Sequence, residues 1–344
     1  MKKLGCMLMA VLMAVAVSGC SDKKEASENK ETEKKVTLIL DYLPNTNHTG
    51  FYVAKEKGFF KEEGLDVDII EPGDDSTSAT LVAANKGEFG VSYQEDVTYA
   101  RTAEEPLPIR AIATIIQHNT SGFVSLKKEN IKSPKDFEGK VYAGWQAPSE
   151  EAVVKAVMTA AKADFSKLTM VGADGSGFAS LGKSVDIQWE FEGWAVTKGR
   201  MEGYDLKYIP LRELDERLDY YTPVIITSEK MIKEDPETVQ KFMNAVKKGY
   251  EYAIENPDAA AEILSKYAPD YDLKFLKESQ KYLSSEYARD ADSWGVMKDS
   301  VWDNYTAFMY ENKLITEKIK ADEQYTNELS LIHISEPTRL QLIS

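Results

Sequence analysis

Val36-Thr37-Leu38-Ile39-Leu40, Val67-Asp68-Ile69-Ile70 and Phe89-Gly90-Val91-Ser92-Tyr93, with residues 50–58 and 76–86 between them, form the stretch that decides the fold. The short β-branched runs read as strands and the longer amphipathic stretches as helices, the first ending at a glycine cap. Strand, helix, strand, helix in this rhythm implies parallel pairing through right-handed crossovers.

Working outward, residues 109–116 and 122–126 continue as strands. A second α/β unit opens near Ser133-Pro134-Lys135-Asp136-Phe137, with strands at 140–143, 168–171 and 185–189 and a helix at 150–163. The strand Val224-Ile225-Ile226-Thr227 follows Pro223. Everything from Pro236 onward reads as lysine- and glutamate-rich helix with solvated faces. The fold class expected is α/β, in two lobes: residues 36–122 plus 223–330, and residues 123–222, with a C-terminal helical segment.

The chain has 344 residues, enough for about two domains of 100 to 200 residues each. Lys and Arg number 42 against 57 Asp and Glu, a net charge of −15 that opposes binding to phosphate backbones, so nucleic acid is not an expected partner. Eighteen Tyr, 12 Phe and 5 Trp supply ample core material. The two cysteines both fall in the first twenty residues, which takes disulfide scaffolds, thiolate metal sites and a cysteine nucleophile away from the mature domain.

Both ends read as lying outside the fold. Lys2 and Lys3 precede an apolar run from residue 4 to residue 17, the pattern of an export signal spanning residues 1–19. It closes on Val17-Ser18-Gly19-Cys20, which resembles the bacterial lipobox and implies lipidation of Cys20. A plain secretory signal is the alternative. Residues 20–35 are polar and charged, a solvated tether. Residues 331–344, beginning Leu331-Ile332-His333-Ile334-Ser335, show no periodicity and resemble translated adapter sequence, a non-native tail.

Polar and aromatic residues gather where the strands end. Asp41, Tyr42, Asn45, Asn47 and His48 follow the first, and Tyr93, Gln94 and Glu95 follow the third. Asn119, Thr120 and Ser121 lie between two runs. Trp145 follows the strand at 140–143, and Trp189, Glu190, Glu192 and Trp194 follow the one at 185–189. In open parallel sheets the carboxyl ends of strands line the ligand crevice. Each residue also has a plainer reading: Asp41 and Asn47 as loop and cap residues, Tyr93 and either tryptophan as core, His48 as a helix-terminal or core histidine. No spacing suits a metal, and the glycines of residues 172–177 lack the dinucleotide-binding pattern. Neither a cofactor nor a metal is expected. Glu190 and Glu192 share a face if extended, but no nucleophile accompanies them, so no catalytic residue is assigned.

Asp41-Tyr42-Leu43-Pro44-Asn45-Thr46-Asn47-His48-Thr49-Gly50-Phe51-Tyr52-Val53-Ala54, Lys57-Gly58-Phe59-Phe60 and Gly64-Leu65-Asp66-Val67 resemble the opening of the solute-binding proteins related to the pyrimidine-precursor synthase of thiamine biosynthesis. Gly90-Val91-Ser92-Tyr93-Gln94-Glu95, Asn119-Thr120-Ser121-Gly122, Glu192-Gly193-Trp194 and Asp219-Tyr220-Tyr221-Thr222-Pro223 extend the likeness over residues 36–325.

The resemblance implies a type II-like periplasmic-binding-protein fold. It also implies a monomer, anchored outside the cytoplasm by lipid, that hands a thiamine-related aminopyrimidine to an ABC permease. Tyr221 joins the candidate ligand residues on that ground. An aminopyrimidine offers flat faces and an edge of donors and acceptors, which aromatic planes, carboxylates and amides would meet. Riboflavin or a sulfonate on the same fold are alternatives, as is a pyrimidine-synthesis enzyme. The synthase's cysteine-rich motif is missing and the chain carries an export signal, so a binding protein rather than an enzyme is expected.

Overall fold

The computed structural model describes residues 33–73 and 76–329, so the expected signal, Cys20 and the C-terminal tail lie outside the described residues. The strands are β1 (Lys34–Ile39), β2 (Leu65–Ile70), β3 (Phe89–Ser92), β4 (Ile109–Thr114), β5 (Ser121–Leu126), β6 (Val141–Gly144), β7 (Thr169–Gly172), β8 (Ile187–Phe191), β9 (Leu206–Pro210) and β10 (Val224–Ser228). They make two five-stranded sheets, ordered β2-β1-β3-β10-β4 and β7-β6-β8-β5-β9. The orders match. In each, three strands pair in parallel around the first of them, and the fourth place is taken by a strand from the opposite end of that sheet's chain segments, β10 in one and β5 in the other.

Those two inserted strands run antiparallel to both neighbours, so the sheets are mixed where the rhythm of the sequence implied parallel pairing. The reason is topological. Each is the strand on which the chain enters or re-enters a sheet from the other, and it arrives from the side on which the parallel strands end.

Other boundaries move as well. Lys34 and Lys35, assigned above to the tether, open β1 and pair with Leu65 and Asp66. Two lysines are tolerated there because their stems stay exposed, and Lys34 reaches Asp235 and, at 2.8 Å, the Thr238 hydroxyl. The strand expected at 185–189 instead spans Ile187–Phe191, which carries Glu190 and Phe191 into the sheet. β9 has no counterpart in the sequence reading, since Lys207 and Pro210 leave too short an apolar alternation to register.

The first sheet is covered on one face by the helices Thr49–Glu56 and Pro236–Glu255. Their buried Phe51, Val53, Phe242, Val246 and Tyr250 pack on Leu38, Phe89 and Val91. Phe242 stacks on Phe89 at 3.8 Å between centroids and on Phe60 at 5.6 Å, and loss of such an aromatic costs about 3–5 kcal/mol. The helix Pro148–Ala160 plays the same part for the second sheet, with Val153, Val154, Val157 and Met158 on Phe123, Tyr142 and Trp189.

The C-terminal helices bury far more than solvated faces would. Asp299–Glu311 sends Trp302 into the first sheet's second core, and Tyr305, Phe308 and Met309 into the second sheet's core. It therefore ties the two sheets together, although residues 223–330 were placed wholly with the first.

Candidate functional site

The loop after β1 supplies one wall of a cavity of about 260 Å³, and its conformation is fixed by local hydrogen bonds. Asn45 caps the short turn Thr46–His48: its side chain accepts from the Asn47 amide at 2.9 Å, while Nδ1 of His48 reaches back to the Asn45 amide at 3.3 Å. Buried tyrosines brace the turn from behind. Tyr250 donates to the Asn47 carbonyl at 2.6 Å and Tyr287 to the Thr46 carbonyl. A helix of the C-terminal half, Leu273–Glu286, adds Ser279, whose hydroxyl lies 2.6 Å from that of Thr46.

At the floor lies Asp41. Nε2 of the fully buried His48 sits 2.6 Å from one carboxylate oxygen, and the Tyr93 hydroxyl donates to the other at 2.5 Å. Burial alone would push the Asp41 carboxyl up, but the hydrogen bonds from His48 and Tyr93 outweigh it and hold the group below its ordinary value. Tyr93 is pushed up by burial and by Asp41, and stays a phenol. Asp96, one turn further on, is pushed up to about 6, by burial first and then by Glu95.

The opposite wall comes from Thr120, in the passage between the sheets, and from Phe191, Gly193 and Trp194 at the end of β8. There the chain makes a π-helical turn, Glu192–Val196. Gly193 has to be glycine, because a Cβ would stand 2.8 Å from the Tyr282 ring and 3.0 Å from Leu283. Its carbonyl accepts from Ser279, and the Trp194 indole lies edge-on to Tyr271 and Phe275, each at 4.8 Å. This turn of the second sheet is thus docked on a helix that covers the first. Thr222 and Leu283 complete the lining.

Of the residues singled out in the sequence, Asp41, Tyr42, Asn45, Asn47, Tyr93, Thr120 and Trp194 line this cavity, and His48 stands directly behind Asp41. The others are placed elsewhere. Gln94 is buried, accepting from the Tyr221 amide at 2.9 Å and donating to the Val301 carbonyl at 3.1 Å. Glu95 accepts from Tyr305 at 2.6 Å. Tyr221 is buried, with its hydroxyl on the Lys298 amide. Asn119 spends its side chain on the Leu218 carbonyl and on the amide and hydroxyl of Ser121, all between 2.7 and 2.8 Å.

On the second sheet Trp145 is 55% exposed and tilted against the buried Trp189 at 5.1 Å. Glu192 accepts from Arg200 at 3.1 Å and from Tyr282 at 3.2 Å. Glu190 lines a separate hollow with Ser176, Lys198 and Tyr204, and burial pushes its carboxyl up to about 7.

Phe191, Thr222 and Leu283 were not singled out beforehand. Leu276, Ser279 and Leu283 share a helix face at 3 and 7 residue spacing, a signal hidden by the lysines and glutamates around them. The described residues contain no group of three or more His, Cys, Asp or Glu placed to hold a metal.

Two mixed sheets of matching order, crossed by the chain and bordering a cavity, make up the fold of the periplasmic solute-binding proteins. The solved periplasmic aliphatic sulphonate binding protein SsuA of Escherichia coli superposes with a TM-score of 0.66 at 10% identity, covering 85% of this chain and 91% of that one. A family model described as NMT1/THI5 like matches residues 45–260, and the chain belongs to that family. It is similar to the formylaminopyrimidine-binding protein of Halalkalibacterium halodurans, 25% identical over 331 residues, 93% of this chain and 98% of that protein. It also resembles a 4-amino-5-hydroxymethyl-2-methylpyrimidine phosphate synthase of Saccharomyces cerevisiae, 24% identical over 283 residues, 76% of this chain and 80% of the synthase.

Proposed function

We propose that this chain is an extracytoplasmic solute-binding protein, anchored through a lipid on Cys20, that delivers a thiamine-related aminopyrimidine to an ABC importer and makes or breaks no bond in it. The observation that carries the reading is the lining of the cavity: one buried carboxylate, hydroxyls, amides and the aromatic planes of Tyr42, Phe191 and Trp194, with neither lysine nor arginine. A ring with amino donors on its edge suits that set, whereas an anion would ask for cations.

The likeness to a formylaminopyrimidine-binding protein supports the same ligand class. Residues 36–120 with 223–298 would form one body and residues 121–222 the other, bending at the two passages between the sheets so that closure brings both onto the ligand. Calorimetry on the mature chain tests the reading. A 4-amino-2-methylpyrimidine, formylated at its aminomethyl arm, is expected to bind and to raise the melting temperature, by about 2.7 kcal/mol of stabilisation at ~100 times Kd. Riboflavin, taurine and nitrate are expected to give no heat, and binding of a sulfonate alone would overturn the assignment. Unchanged labelling of Cys20→Ala with radioactive palmitate would remove the anchor from it.

A further inference from the structure

The floor of the cavity holds a negative charge without a matching positive one. Asp41 is buried and its oxygens are taken by His48 and Tyr93. The other nitrogen of His48 faces the Asn45 amide at 3.3 Å, and an amide only donates, so the ring accepts at Nδ1 and donates at Nε2, the neutral tautomer. The Tyr93 hydroxyl donates its hydrogen bond to Asp41, which leaves the phenolic oxygen as an acceptor on the cavity.

The remaining titratable groups around Asp41 add no cation. Tyr250 is kept a phenol by burial, and Asp96 behind Tyr93 contributes a second acid, met by Ser92 at 3.4 Å and adjoining Glu95. A carboxylate that has lost water and gained no cation is costly to leave as it is, and a ligand that brings the charge relieves it.

We propose that the aminopyrimidine is held as its ring-protonated cation, with the ring N–H and the adjacent amino group donating toward the oxygens of Asp41 and Tyr93. The inference rests on the ligand class proposed above. One proton enters from solvent with each ligand and stays on a ring nitrogen, whose basicity a neighbouring desolvated carboxylate raises.

The test is calorimetry of the full chain with the formylated aminopyrimidine, which has no other basic group. It is run between pH ~6 and ~8 in buffers of different ionisation heat, with the nitrogen-15 shift of the bound ring as the localising readout. The expected result is uptake approaching about one proton at the alkaline end, affinity falling toward tenfold per pH unit, and a ring nitrogen shifted to its protonated position. Asp41→Asn is expected to abolish the uptake; should that variant not fold, the ring shift in the unaltered protein decides alone.

Binding with no uptake, or uptake with an unprotonated ring, which would put the proton on His48 or Asp96, overturns this inference and leaves the ligand class standing. Absence of binding throughout the range overturns both.

Discussion

On the first-sheet side of the cavity the loop from Asp41 to His48 has the side chains of Asp41, Asn45, Thr46 and His48 engaged, and it is braced by Tyr93, Tyr250, Tyr287 and Ser279, so its geometry exists before a ligand arrives. On the second-sheet side Phe191 stands exposed at the cavity, and beyond it Trp145 is exposed, the buried indole N–H of Trp189 has no partner among the described residues, and Glu190 is desolvated in its separate hollow. The contrast separates two tasks. A wall that is already satisfied sets specificity at little ordering cost, and a wall left unsatisfied has something to gain when a ligand or the opposite body covers it.

The comparison breaks most directly at Asp41. Asp41→Ala is expected to lower affinity for the aminopyrimidine at least a hundredfold, about 3 kcal/mol, by calorimetry; a loss under tenfold would mean the braced wall is not where the ligand is gripped.

Glu190 sharpens it from the other side. Its carboxyl titrates near 4.5 when unfolded and near 7 when folded, so the folded state binds the extra proton between those values and stability declines as pH rises through that window. Glu190→Gln is expected to flatten that decline in urea midpoints, recovering up to about 3 kcal/mol above pH ~7. A slope equal to the parent's would show that the hollow is wet.

At the seam between the walls, Gly193→Ala drives a methyl into Tyr282 and Leu283 and is expected to cost about 1–3 kcal/mol of stability and to loosen ligand binding along with it. The smallest effect is expected at Trp145: its alanine variant should change unliganded stability by about 1 kcal/mol or less, yet weaken affinity severalfold. If acrylamide quenching of the parent's tryptophans does not fall on ligand addition, the exposed wall is not the one that closes.

The strand runs of the first half, and the loop that becomes the cavity floor, are legible in the sequence because their signal is local. Val36 to Leu40 and Phe89 to Tyr93 are short, largely apolar runs, and Asp41, Asn45 and Asn47 carry the turn chemistry that follows the first. What the sequence conceals is set by distant partners. Whether Glu190 ends a strand or belongs to it depends on pairing with Gly122, and that decides which hollow it enters.

Gln94 and Asn119 look like ligand groups one residue at a time, yet their side chains meet backbone atoms 127 and 99 positions away. Leu283 reaches the cavity from a helix whose outward face dominates its composition.

Asn119 also couples the two passages of chain between the sheets. Its amide takes one oxygen of Asp219 at 2.9 Å, its side chain takes the Leu218 carbonyl at 2.8 Å, and His118 holds the other oxygen of Asp219 at 2.6 Å. Two strips that could each have flexed alone are pinned side by side into one axle. Held this way, neither strip can shift without straining its hydrogen bonds to the other.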